Sequence, residues 1–368
     1  MILARFRMVC LFVLVPLAAW LMAACAPTYT PACRGDADNP LERGELAQPS
    51  GLTQAGDRIY VASAASLAPP DHLDYCGSFV TAFDADTGEA VGRPFVPRGD
   101  PDVLGQETFR FFAGVTYDKG RDRLYIAERE TGSVLQVDPS NGRILARAEV
   151  GNAPYGLQFM ADVTADTGEV RDLLAVADIG AARQAGRVRV LDAESFAIVE
   201  ELTVEITGRP AVFDYDPVLQ RLYVAYYDGI GVAIVDMATG ELLRETEAVA
   251  DELSPTVRGV ALDAANERLF FTAEQAAFSG IWAADTETGL LLDHLTLPRR
   301  PVDIALGAGF LVALARDRLY IHDASTLALI QTEQLGITTP ARLLLDEDRG
   351  LVYVTGFEPS VLKLVRLP

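Results

Sequence analysis

The sequence predicts an all-β fold: a seven-bladed β-propeller of four-stranded blades, its last blade closed by a strand from the N-terminal segment. Three observations point there. A short strand motif, typified by Arg221-Leu-Tyr-Val-Ala-Tyr, recurs seven times, a turn bounded by Asp follows most copies, and a proline or glycine marker precedes them. Strand-only units spaced by about 40 to 50 residues suit propeller blades better than solenoid coils. A β-sandwich offers no reason for seven equivalent units.

Within each unit the inner strand comes first. Pro49-Ser-Gly51-Leu52 and Pro154-Tyr-Gly156-Leu157 share a Pro-x-Gly-apolar pattern; Gly114-Val115 and Gly259-Val260 keep the glycine, while Pro210, Pro301 and Pro340 keep the proline. Proline suits the first residue of a strand, and glycine admits a close backbone neighbour where strands converge. The second strand is the recurring motif itself. Its clear copies begin at Arg58, Arg123, Arg221 and Arg268, and weaker ones at Asp172, Gly309 and Leu351. Each is rich in β-branched and aromatic residues and flanked by turn formers.

The third strand ends in Asp, as in Phe83-Asp84-Ala-Asp-Thr87-Gly88, Val137-Asp138-Pro-Ser-Asn141-Gly142 and Val235-Asp236-Met-Ala-Thr239-Gly240. Related turns begin at Asp192, Asp285 and Asp323. An Asp side chain accepts N–H groups of its own turn, and Gly supplies a positive φ, so these acids have a structural role. Residues 84–89 lack the ligand spacing of a calcium loop. The outer strand follows, for example at residues 241–247. Unbroken apolar runs such as Gly231-Val-Ala-Ile-Val235 suit strands buried on both faces.

The chain stops at Pro368, where the third strand of the seventh unit (361–366) ends. Residues 41–46 precede the first inner strand, where an outer strand belongs. The expected result is a seam in which the N-terminal segment completes the last blade and leaves no open sheet edge.

In these marks the chain resembles the YVTN-repeat β-propeller family over roughly residues 41–368. The Pro-x-Gly-apolar strand, the Arg-Leu-Tyr-Val strand and the Asp-x-x-Thr-Gly turn carry the resemblance. They imply a fold; they do not imply an activity.

Residues 1–24 carry Arg5 and Arg7, followed by an uncharged apolar run at 8–21, the form of a secretory signal. The run is shorter than the ~20 residues that span a bilayer. Met22-Ala23-Ala24-Cys25 resembles a bacterial lipobox, with Met22 in place of the usual leucine. Cys25 is therefore expected to carry lipid, with residues 25–40 as a tether. Each buried acyl methylene contributes ~0.8 kcal/mol, so several chains anchor stably. Ala26, by resemblance to Gram-negative lipoproteins, implies the outer membrane. Cys10 leaves with the signal, so Cys33 and Cys76 remain as a candidate disulfide in an oxidising compartment.

A net charge of −21 repels phosphate backbones and argues against nucleic-acid binding. Three histidines, His72, His294 and His322, are too few for a multi-histidine metal centre. No cofactor or metal is expected, and no catalytic residue is assigned. The long loops at 64–77 and 97–110 contribute His72 and Arg110 as candidate ligand contacts. At the mouth of the central channel, Asp303 and Arg342 replace glycine at equivalent positions of neighbouring blades, where they could pair and cap it. Tyr155 and Arg258 lie one residue earlier in their own blades.

The leading expectation is a non-catalytic binding or scaffold module that meets a protein, glycan or small ligand through its loop face. The alternative is a lactonase-type hydrolase with a site in the central channel. His294 and His322 fall on outer or third strands, away from the axis such a site needs. Quinoprotein propellers carry a tryptophan soon after each turn, whereas Trp282 precedes its turn.

Overall fold

A computed structural model describes residues 46–64, 77–92, 94–95, 109, 111–180, 186–227, 231–246, 257–274 and 279–368. Seven antiparallel sheets follow one another in chain order. Their inner strands are Pro49–Ala55, Phe112–Asp118, Pro154–Thr164, Pro210–Asp216, Val260–Asp263, Pro301–Gly307 and Thr339–Asp346. Each inner strand touches the next, and the first touches the last, so the sheets form a closed ring: a seven-bladed β-propeller.

Blades 2 to 6 are four-stranded, with strands in the order of the chain in each. Blade 1 has three regular strands, and its outer edge is made by the isolated bridges Val80–Phe95 and Phe83–Ala90. Blade 7 shows three strands among the described residues, ending at Ser360–Arg366. Of the expected closing strand, residues 41–45 lie outside the described residues. Leu46 is described: it is 2% exposed and packs with Ile59, Val61, Phe83, Leu351 and Tyr353, at the meeting of blades 1 and 7. The leader and tether, with Cys25 and Cys33, as well as Cys76, His72 and Arg110, also lie outside the described residues.

The core is a ring of interfaces. Seven apolar clusters occur, each built from two adjacent blades. This explains the unbroken apolar runs in the second and third strands, whose two faces each meet a neighbouring sheet. Polar ties join the blades at the turns between inner and second strands. Arg121 binds Asp118 of its own turn at 3.0 Å and Asp172 of blade 3 at 2.6 Å. Arg349 repeats the arrangement at the seam, with Asp346 and with Asp86 of blade 1, both at 2.9 Å.

The turn aspartates hold their own turns. Asp84 accepts the N–H groups of Asp86 and Thr87 and the Thr87 hydroxyl. Asp138, Asp192, Asp236, Asp285 and Asp323 do the same in their blades. Hydrogen bonds from Ser325 and Thr326 lower the Asp323 carboxyl to about 2.

The proline marks a β-bulge. Pairing with the second strand slips between Pro49 and Gly51, between Pro210 and Val212, between Pro301 and Asp303, and between Pro340 and Arg342. Gly51, Val212, Asp303 and Arg342 are therefore equivalent positions. Glycine suits this position because the next blade's backbone approaches closely. A Cβ on Gly156 would lie 2.1 Å from the Ala211 carbonyl oxygen, and one on Gly114 would lie 2.3 Å from that of Tyr155.

Candidate binding site at the mouth of the channel

A bulge leaves one residue unpaired and re-aims its side chain. In six blades that residue, or its equivalent, faces the mouth of the channel: Ser50, Tyr155, Ala211, Arg258, Val302 and Ala341. Together with Phe111, Tyr227 and Phe357 they line a vestibule of about 160 Å³. Below it, inner-strand residues including Gly51, Thr53, Thr116, Gln158 and Asp303 surround a channel cavity of about 280 Å³. Ser50 and Arg342 line both spaces, which places Arg342 at the boundary between them.

Arg342 crosses the axis. Its Nε donates to the Ser50 carbonyl of blade 1 at 3.4 Å, and its Nη1 to the Arg258 carbonyl of blade 5 at 3.2 Å. The guanidinium carbon also sits 5.9 Å from the centre of the Tyr155 ring of blade 3. One side chain from blade 7 thus ties three other blades at the hub.

Asp303 takes a different role from the one its position suggests. One carboxylate oxygen accepts the Ile304 N–H and the other the Leu343 N–H, each at 3.0 Å. The side chain is buried between blades, close against Gly259. Burial raises its pKa, and the nearby positive charge of Arg342 acts in the opposite direction. No direct ion pair joins Asp303 to Arg342. The expected pairing fails because the carboxylate is held by backbone N–H groups of blades 6 and 7, while the guanidinium extends to the axis. Arg342 caps the channel through carbonyl groups.

The vestibule walls combine cations with rings. Arg258 Nε lies 2.5 Å from Glu274, which also receives Arg300 at 3.4 Å. Tyr155 and Tyr227 meet edge to face, with ring centres 6.2 Å apart. Arg209 lies over the Tyr227 ring at 5.4 Å, and Arg129 over the Phe111 ring at 5.3 Å. Such contacts place guanidinium charge over aromatic faces. Tyr227 and Phe357 remain 37% and 38% exposed, so large apolar faces are open at the rim. Among the described residues that line the vestibule there is no carboxylate.

Four residues singled out from the sequence, Tyr155, Arg258, Asp303 and Arg342, thus converge on the hub, three of them on the vestibule itself. Tyr227, Phe111, Phe357 and Arg209 escaped the sequence reading. A signal existed for two of them: Tyr227 and Phe357 directly follow the six-residue motif of their second strands, at equivalent positions of the repeat, and that end of the strand points to the mouth. His294 and His322 lie on an outer and a third strand, as expected. His294 stacks on Trp282 with centres 4.0 Å apart, and burial lowers the pKa of both histidines. Among the described residues no group of three or more His, Cys, Asp or Glu could hold a metal ion.

No family model matches the chain, and no curated protein sequence matches it. The fold does have solved counterparts. A chain from the structure titled Kuenenia stuttgartiensis Hydrazine Synthase is similar at 16% identity, with a TM-score of 0.64, covering 87% of this chain and 96% of that one. At that identity the likeness is one of fold, and a shared propeller does not carry activity from one protein to another.

Proposed function

We propose that this chain is a membrane-anchored binding propeller, held in the cell envelope by lipid on Cys25 and meeting its ligand or partner through the mouth of the channel. The observation that carries the reading is the vestibule: exposed aromatic faces and guanidinium groups gathered at the convergence of the blades. Open apolar faces with a few fixed polar groups are the usual make-up of a recognition site. Nothing in this reading requires chemistry from the protein, since arginines and rings hold a ligand without reacting with it.

The finer parts of the proposal come from the sequence. Residues 1–24 act as a lipoprotein signal, residues 25–40 as the tether, and residues 41–368 as the propeller. The repeat pattern supports a place among YVTN-repeat propellers, and Ala26 supports the outer membrane. Cys33 and Cys76 form the disulfide of the mature chain.

Two experiments test this. A photo-cross-linking residue is placed in whole cells at Tyr227, on the rim of the mouth, or at Val218, which is 84% exposed on the turn between the inner and second strands of blade 4. Adducts at 227 and none at 218 are expected; the reverse pattern overturns the assignment of the binding face. Cys25→Ala should abolish fatty-acid labelling, and unchanged labelling would refute the anchor.

A further inference from the structure

We propose that the vestibule is a site for a small organic monoanion, a single carboxylate carried on a flat apolar body. The inference rests on reading the mouth as the binding face, and it adds the chemistry of the ligand.

The first ground is charge. A guanidinium has five N–H donors. Arg342 directs two of its nitrogens to carbonyl groups, at the long distances of 3.4 and 3.2 Å. Carbonyls satisfy donors but leave the net charge in place. Among the described residues Arg342 forms no ion pair, and its charged neighbour Asp303 is committed to the backbone N–H groups of Ile304 and Leu343. Beside it, Arg258 and Arg300 share the single carboxylate of Glu274. Among the described residues, Arg258, Arg300 and Arg342 stand against Glu274 and Asp303, so the hub carries an excess of one positive charge in a chain whose overall charge is −21. A planar guanidinium fork matches a carboxylate in two parallel hydrogen bonds.

The second ground is shape. Tyr155, Tyr227, Phe111 and Phe357 give the vestibule flat apolar walls. Its volume of about 160 Å³ is close to that of an apolar cavity of ~150 Å³ that takes up benzene. One ring with one substituent fits. The strongly acidic surface sets an upper limit on ligand charge, because the field of the whole molecule repels polyanions more than monoanions. A single carboxylate is the anion that the local charge attracts at the least global cost.

The test uses three probes of one shape, 4-fluorobenzoate, 4-fluorobenzamide and 4-fluorobenzylammonium. Each is titrated by fluorine NMR against the mature protein in an uncharged detergent. The benzoate should bind at least tenfold more tightly than the amide, and the ammonium should bind most weakly. Arg342→Gln should remove that preference, and Arg342→Lys should keep part of it. The melting temperature of each variant shows whether it is folded, and Arg258→Gln gives a second reading of the same charge cluster. Equal binding of benzoate and amide would overturn the anion assignment while leaving the mouth as a binding face. Binding of none of the three would also overturn it, and the cross-linking pattern at Tyr227 would judge the wider reading separately. A preference that survives both Arg342→Gln and Arg258→Gln would place the anion elsewhere and refute the proposal.

Discussion

The Tyr353 hydroxyl donates a 2.7 Å hydrogen bond to the Ala85 carbonyl, across the interface where the last blade meets the first. The Tyr125 hydroxyl reaches from blade 2 to the Ala193 carbonyl of blade 3 at 3.4 Å. Ala85 and Ala193 both directly follow a turn aspartate, so the tyrosine of the repeated strand fastens its blade to the next blade's turn. Burial raises the Tyr353 hydroxyl to about 12, so it stays a donor across the physiological range. Tyr353→Phe removes the donor and leaves a buried carbonyl unpaired, which costs about 1–3 kcal/mol. Urea denaturation should show that loss. Tyr125→Phe should cost less at the inter-blade contact, since its one hydroxyl proton is divided between Ala193 at 3.4 Å and Asp118 of its own turn at 3.3 Å.

Leu46 tests the seam from the other side. It is 2% exposed and contacts residues of both blade 1 and blade 7. Leu46→Ala should destabilise by about 2–4 kcal/mol. Residues 41–46 are expected to close the final blade, so a chain starting at residue 48 should melt at a lower temperature and aggregate more readily than one starting at residue 36. Equal melting would mean that the last blade closes without the N-terminal segment.

The inner-strand glycines predict a steep steric effect. Gly156→Ala forces a methyl group to within 2.1 Å of the Ala211 carbonyl oxygen, a backbone atom that cannot swing aside. A cost of about 3 kcal/mol or more is expected, at the upper end for overpacked cores. Gly120→Ala is the comparison, since its nearest contact would be a side-chain oxygen at 3.4 Å. It should change stability by well under half as much. Similar unfolding midpoints for the two variants would contradict the close convergence of the blades.

Asp214 predicts a pH dependence of unusual sign. One of its oxygens accepts the Tyr215 N–H at 2.8 Å and the other accepts the Leu262 N–H of blade 5 at 2.7 Å. Burial nevertheless raises its pKa to about 6. Between about pH 4 and 6 the folded chain keeps a proton that the unfolded chain has released, so this group's contribution to stability falls as pH rises. Asp214→Asn cannot ionise. Relative to that variant, the natural chain should lose about 1–2 kcal/mol between pH 4 and pH 7, allowing for the side chain's partial exposure. Asp323, whose pKa is lowered to about 2, acts in the opposite direction and loses its contribution as pH falls through that value; it is common to both proteins and cancels. Parallel stability curves for the two would refute the assignment.

The blade plan was legible in the sequence because each strand type carries a local physical signature. Proline marks the bulge, Arg-Leu-Tyr the buried second strand, and Asp with Thr-Gly the self-bonded turn. The equivalence of Asp303 and Arg342 was legible too, because both replace the glycine of the repeat. Their separation was not. Both follow the same one-residue bulge, so register does not separate them. The short carboxylate is taken by the N–H groups of Ile304 and Leu343, while the longer guanidinium reaches carbonyls of blades 1 and 5, and no periodicity of two encodes that difference. Tyr227 and Phe357 were missed for a related reason: they fall just beyond the strand motif, where the repeat stops constraining residue type.

The central claim is that the mouth of the channel is where this propeller binds its ligand. It is tested most directly by locating binding without choosing the ligand in advance. Methyl NMR on protein labelled at Ala, Ile, Leu and Val, screened against anionic, neutral and cationic aromatic fragments, reports every contact by position. The account predicts shifts at Ala211, Val302 and Ala341 around the vestibule, largest for carboxylates. Shifts confined to Leu290, Leu292, Leu329 and Ile330, the exposed apolar side chains at the outer edges of blades 5 and 6, would contradict it.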